Sequence, residues 1–144
     1  VKVFRYHPPY KPSGRTSFPE TAKRSGVYLI KENDKLVYIG VSLTDLYKTL
    51  YRHFQTWNDI NYRTQKVKPP SDRVTYKNRM KRNRYTVRIV FCPPGQAARL
   101  ERALIIKYQP RDNDVKYSQY TLTLADTKCI KEYDFEPVEQ ECPF

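Results

Sequence analysis

The sequence predicts an α+β fold: a small three-stranded, largely antiparallel sheet flanked by helices. Three observations predict it. Two apolar runs, Val27–Lys31 and Leu36–Gly40, flank a polar turn and read as a β-hairpin. A third run, Thr86–Phe91, has the composition of a strand. Segments after the hairpin and after the third strand space their apolar residues as helices do, giving the order ββα–βα. At 144 residues the chain has room for one domain with a modest core.

Residues 1–24 are rich in proline and basic side chains (His7-Pro8-Pro9-Tyr10, then Pro12-Ser13-Gly14-Arg15) and read as an extended arm with a short strand at Val1–Tyr6. The hairpin follows, joined through Glu32-Asn33-Asp34. Thr44 or Asp45 can cap a helix running to about Trp57, with Leu46, Leu50, Phe54 and Trp57 on its buried stripe. A long basic connection, Asn58–Arg84, carries Pro69-Pro70 in its middle; extended through Phe91 it holds ten bases against two acids. Pro93-Pro94-Gly95 introduces a helix from about Gln96 to Tyr108, stopped by Pro110. The remainder, Asp114–Phe144, is acidic, with a strand expected at Tyr120–Leu124. The expected organisation is an arm (1–24), a central domain (25–113) and an acidic extension (114–144).

Charge gives the first functional signal. The chain carries 27 Lys+Arg against 15 Asp+Glu, a net of +12. Residues 114–144 contribute −4, so residues 1–113 carry +16. A basic body suits a polyanion, because each Lys or Arg set against a phosphate releases a condensed counterion. Three widely spaced cysteines, Cys92, Cys129 and Cys142, lack zinc-ligand spacing and predict a reduced, cytoplasmic setting. No apolar stretch approaches a membrane span, and no signal-peptide core is present, so neither membrane insertion nor secretion is expected.

Glu101 occupies a physically awkward position. On the second helix Ala97, Leu100, Leu104, Ile105 and Tyr108 share one face, and at roughly 100° per residue Glu101 projects into the middle of it. A carboxylate there needs a base, a proton or a metal ion. A salt bridge to Arg52 or Arg99 would serve, as would a hard cation, since Mg²⁺ is often held by one or two carboxylates plus phosphate and water.

Tyr28 and Tyr38 lie on the two hairpin strands, and the turn decides whether they meet. A two-residue Asn33-Asp34 turn pairs Tyr28 with Ile39 and sends the tyrosines to opposite faces. A three-residue turn, or a bulge, places Tyr28 opposite Tyr38. On the first helix, Thr49 and His53 border the core stripe, Arg52 lies further round, and Lys48 beyond it.

Together these residues resemble the GIY-YIG nuclease family. The signature reads Gly26-Val27-Tyr28, then Tyr38-Ile39-Gly40. Leu46-Tyr47-Lys48-Thr49-Leu50-Tyr51-Arg52-His53-Phe54 is similar to the family's basic helix, and Leu100-Glu101-Arg102-Ala103-Leu104-Ile105-Ile106-Lys107-Tyr108-Gln109-Pro110 to its glutamate helix, with Asn113 matching the asparagine that follows. The pieces fall in order over residues 25–113. The resemblance implies the nuclease fold and metal-dependent hydrolysis of DNA phosphodiester bonds, with one Mg²⁺ or Mn²⁺ ion per site. It implies that Glu101 holds the ion and that Tyr28 accepts the proton of the attacking water. Tyr38 would orient water or phosphate, His53 would bond to Tyr28 or the phosphate, and Asn113 would support the site. An unperturbed tyrosine titrates near ~10, so for this to work at neutral pH nearby cations must favour the Tyr28 phenolate.

One position departs from the family. Its catalytic arginine falls on Thr49, which cannot clamp a phosphate with a bidentate fork. Either the site is damaged, or Arg52, one turn on, replaces it, with Lys48 a third choice as a point charge; replacement by Arg52 is the expectation. Double-stranded DNA is the expected partner, contacted by Lys48 and by Arg73, Lys77, Arg79, Lys81, Arg82 and Arg84 of the basic connection. A homodimer would supply two sites for two strands. The alternative is a nucleic-acid-binding module that keeps the fold without activity; a module for acidic protein surfaces is a third reading.

Overall fold

The computed structural model describes residues 6–10, 21–54, 60–61, 66–67, 76, 79–80, 82–113, 117 and 119–133. Its elements run β1 (Gly26–Glu32), β2 (Lys35–Ser42), α1 (Leu46–His53), β3 (Ile60–Asn61), β4 (Lys66–Val67), β5 (Tyr85–Phe91), α2 (Pro94–Tyr108) and α3 (Leu124–Glu132). The main sheet has the order β2-β1-β5 and is antiparallel throughout; β3 and β4 form a separate short ladder. Central β1 is buried on both faces, which explains its unbroken apolar run Val27–Ile30.

Each face carries its own core. Val27, Leu29, Ile39 and Val90 pack with Ala97, Leu100 and Leu104 of α2 and with Cys129 and Ile130 of α3. On the other face Tyr28, Ile30, Val37 and Ile89 pack with Leu46, Leu50 and Phe54 from α1 and its C-cap, and with Tyr76 from the basic connection. Residues 6–10 also join the body. His7 bridges Val87 of β5 through two backbone hydrogen bonds of 3.0 and 2.8 Å, and the Tyr10 hydroxyl donates to the Phe54 carbonyl. Of the expected Val1–Tyr6 strand, only Tyr6 lies among the described residues, and the bridging residue is His7.

The hairpin uses the two-residue turn, with Asn33 and Asp34 both at positive φ (50° and 69°), as a tight right-twisted hairpin requires. A bulge then resets the register. Lys31 pairs with Leu36, but Ile30 pairs with Tyr38, leaving Val37 as the extra residue. Val37 and Tyr38 therefore both face α1, and Tyr28 comes opposite Gly40.

Two helix boundaries and one expected strand differ from the sequence reading. Helix α1 stops at His53, with Phe54 as its C-cap, and Trp57 lies outside the described residues. Its N-cap is Asp45, whose carboxylate accepts from the Lys48 amide. Helix α2 begins at Pro94 rather than Gln96, because a proline in the first turn lacks only an N–H that would have no intrahelical partner there. The strand expected at Tyr120–Leu124 does not form. Leu124 opens α3 behind a capping box in which Thr123 and Asp126 satisfy each other's backbone N–H. Helix α3 packs on α2, held by an Arg102–Asp126 ion pair of 3.1 Å, so this part of the acidic extension completes the core. Among the described residues no helix is long and apolar enough to cross a membrane.

Candidate active site

Gly40 determines where Tyr28 points. An ideal Cβ there would lie 2.8 Å from Tyr28 Cε2 and nearer still to Cζ and the hydroxyl. Without that Cβ, the tip of the Tyr28 ring rests on Gly40 and carries its hydroxyl across β2, the edge strand. Gly26 is required for a similar reason, since a Cβ would strike the backbone carbonyl of Val90. Both signature glycines thus answer to close approach.

Four sequence-predicted residues gather around that hydroxyl. The Tyr28 hydroxyl is hydrogen-bonded to His53 Nε2 at 2.7 Å, in a buried setting. Tyr38 lies beside Tyr28, its ring 6.1 Å from Tyr28 and 4.9 Å from His53 between centroids. The bulge places the two tyrosines diagonally on one face rather than directly opposite. Half-buried Glu101, from α2, is close enough for its charge to act on both tyrosines. Arg52, half-buried on α1, acts on Tyr28 with the opposite charge.

These surroundings set the protonation of Tyr28. Burial first, then Tyr38 and the Glu101 carboxylate, push its pKa well above the usual phenol value; Arg52 opposes them and is outweighed. The requirement that neighbouring cations favour a phenolate is therefore not met by Arg52. Tyr38 is raised by burial and by Glu101. Both hydroxyls keep their protons near neutral pH.

The other residues expected at the site divide. The Asn113 side chain clasps β2 at Ile39, accepting from its N–H at 2.8 Å and donating to its carbonyl at 2.7 Å. It thereby holds the strand at the residue next to Tyr38. The Thr49 hydroxyl bonds the Asp45 carbonyl at 3.2 Å, inside its own helix. Arg52 Nε donates to the Lys48 carbonyl at 3.4 Å, and Lys48 is exposed. In the basic connection, Arg79 pairs with Glu32 at 3.8 Å and Arg84 with Asp34. Arg82 is exposed, and Arg73, Lys77 and Lys81 lie outside the described residues.

Sequence reasoning missed a polar network beside the site. Arg111 bonds Glu32 (2.9 Å) and Asp112 (2.8 Å), holding both carboxyl pKa values below the usual range. Asp112 accepts from the Tyr76 hydroxyl at 2.8 Å, and Tyr85 donates to Glu32. The Asp112 N–H reaches the carbonyl of Val37, the bulge residue, at 2.9 Å. The one sequence signal was that Asp112 precedes Asn113.

The donor set fits a hard cation in one respect. The Glu101 charge is felt by both tyrosines, and a magnesium-type ion needs few protein ligands when phosphate and water complete its shell. Among the described residues no group of three or more His, Cys, Asp or Glu side chains forms a closed metal cage. No curated protein and no solved structure matches the chain. Residues 24–117 match the GIY-YIG catalytic domain, and with well over half its length in that match the chain belongs to the GIY-YIG nuclease family.

Proposed function

We propose that the chain is a metal-dependent endonuclease that hydrolyses DNA phosphodiester bonds at the Tyr28–His53–Glu101 centre. The observation that carries this reading is the 2.7 Å contact between the Tyr28 hydroxyl and His53 Nε2. It solves the problem that burial creates. With His53 in the Nδ1–H tautomer, Nε2 accepts the Tyr28 proton as Tyr28 takes one from the attacking water, so no resting phenolate is needed. The water oxygen bonds to phosphorus while the bond to the leaving sugar oxygen breaks. Tyr38 orients the water or phosphate, and Arg52 clamps the phosphate in place of the arginine that Thr49 lacks. Glu101 would hold one Mg²⁺ or Mn²⁺ ion, which when bound neutralises charge at the phosphate and leaving oxygen. Exposed Lys48 and Arg82, and the bases at 73, 77, 79, 81 and 84, would track the duplex backbone. A homodimer would bring two such sites to the two strands.

Thr49 favours a second reading, a nucleic-acid-binding module without activity, because its hydroxyl is committed to its own helix. Incubation with supercoiled plasmid in Mg²⁺, Mn²⁺ or EDTA separates the two. Nicking that requires metal supports the nuclease; binding with no nicking in any metal supports the module.

A further inference from the structure

Tyr76 comes from the middle of the basic connection, yet its side chain is fully buried. Its backbone N–H donates to the His53 carbonyl at 2.6 Å. That carbonyl ends α1, where no intrahelical donor remains to satisfy it. Its ring stacks on His53 (centroids 6.3 Å, 29° between planes) and lies 4.9 Å from Tyr85. Its hydroxyl donates to Asp112 at 2.8 Å. Asp112 in turn holds Val37, immediately before Tyr38, while the next residue, Asn113, holds Ile39, immediately after it. One residue, through its backbone N–H, its ring and its hydroxyl, therefore joins the end of the helix bearing His53 to the clasp that fixes the strand bearing Tyr38. Within three residues of Tyr76 the sequence carries Arg73, Lys77 and Arg79.

We propose that Tyr76 is a positioning residue that sets the His53 ring against Tyr28 and ties that alignment to the basic connection. Substrate phosphates engaging the bases around it then pull on a residue bonded to both halves of the site. Burial, and next the bond to Asp112, hold the Tyr76 hydroxyl protonated, so it acts as a permanent donor. Asp112 stays ionised beside Arg111, so the bond is charge-assisted. The effect on rate rests on the nuclease reading; the effect on His53 does not.

The test is Tyr76→Phe in the full chain, which keeps the ring and removes one hydroxyl. Tyr85→Phe is the comparison, because it removes a hydroxyl whose acceptor, Glu32, reaches Asp112 only through Arg111. The chain has two histidines, His7 and His53, so imidazole ¹⁵N resonances report His53 directly. In Tyr76→Phe the His53 ring resonances shift, whereas Tyr85→Phe leaves them in place. Single-turnover nicking of supercoiled plasmid in Mg²⁺ falls roughly tenfold or more, as expected for losing one hydrogen bond to a charged acceptor. The Kd for a labelled duplex in Ca²⁺ stays within about twofold, since no phosphate contact is removed. Asp112→Ala shifts His53 in the same way, and the double variant adds nothing further. His53 resonances unchanged in Tyr76→Phe, or moved equally by Tyr85→Phe, overturn the proposal whether or not the parent cleaves. If His53 shifts as expected but the parent nicks nothing, the positioning stands and the nuclease reading falls.

Discussion

Gly40→Ala should disable the site while leaving most of the fold standing. The new methyl would lie 2.8 Å from Tyr28 Cε2 and closer to the ring tip, where ordinary carbon contacts are about 3.5–4.0 Å. Tyr28 is only 1% exposed, and the ring is bounded by Tyr38 and His53, so it cannot retreat without moving them. A displacement of roughly an ångström takes the hydroxyl from 2.7 Å to beyond hydrogen-bond reach of His53 Nε2. Overpacking of this kind costs about 1–3 kcal/mol and the lost hydrogen bond about 1 kcal/mol. Misplacing a catalytic group by ~1 Å lowers rate on the order of 10²-fold. Urea denaturation and plasmid nicking of the same preparation measure both effects. A Gly40→Ala protein with the parent's urea midpoint and the parent's nicking rate would refute the close approach of Tyr28 to Gly40 and its consequence.

Arg52→Ala should lower nicking by about 10²–10³, the usual effect of removing one donor to a charged transition state. Thr49→Ala should stay within about twofold, because its hydroxyl bonds only its own helix backbone; equal rates for parent and Arg52→Ala would dismiss Arg52 as the clamp. Leu50→Ala should lower unfolding free energy by ~2–5 kcal/mol, because Leu50 is fully buried between α1 and the sheet; denaturant titration reads the change. Acid should destabilise the protein through Glu32 and Asp112. Arg111 depresses both folded-state pKa values, so their contribution is complete above the unfolded carboxylate pKa of about 4 and is lost as pH falls through the folded values. Stability measured from pH 6 downward should fall more steeply in the parent than in Arg111→Met, and parallel curves would count against that network.

The parts of the fold legible in the sequence were those fixed by local apolar spacing. The hairpin strands, β5 and the body of α2 show their buried residues in order, because one or both faces of each element meet a core. Helix α3 was misread because Thr121-Leu122-Thr123-Leu124 alternates like a strand, whereas the Thr123–Asp126 capping box decides the local structure and leaves Leu124 91% exposed. The hairpin bulge could be named as one option but not chosen, since it depends on Val37 finding a place beside α1. Tyr28, Tyr38, His53 and Glu101 stood out because their spacing is a family signature or their position on a helix is awkward. Tyr76 and Asp112 did not, because their meaning lies in a hydrogen bond between residues 36 apart in sequence.

The central claim is that Tyr28, His53 and Glu101 form one hydrolytic centre, and it can be tested with three proteins on one substrate. Parent, Tyr28→Phe and Glu101→Ala are compared for nicking of supercoiled plasmid in Mg²⁺ and for duplex affinity. The parent should nick, each variant should lose at least ~10² in rate, the scale of general-base catalysis, and all three should bind DNA alike. A parent that binds without nicking, or variants that nick as fast as it does, would contradict the account.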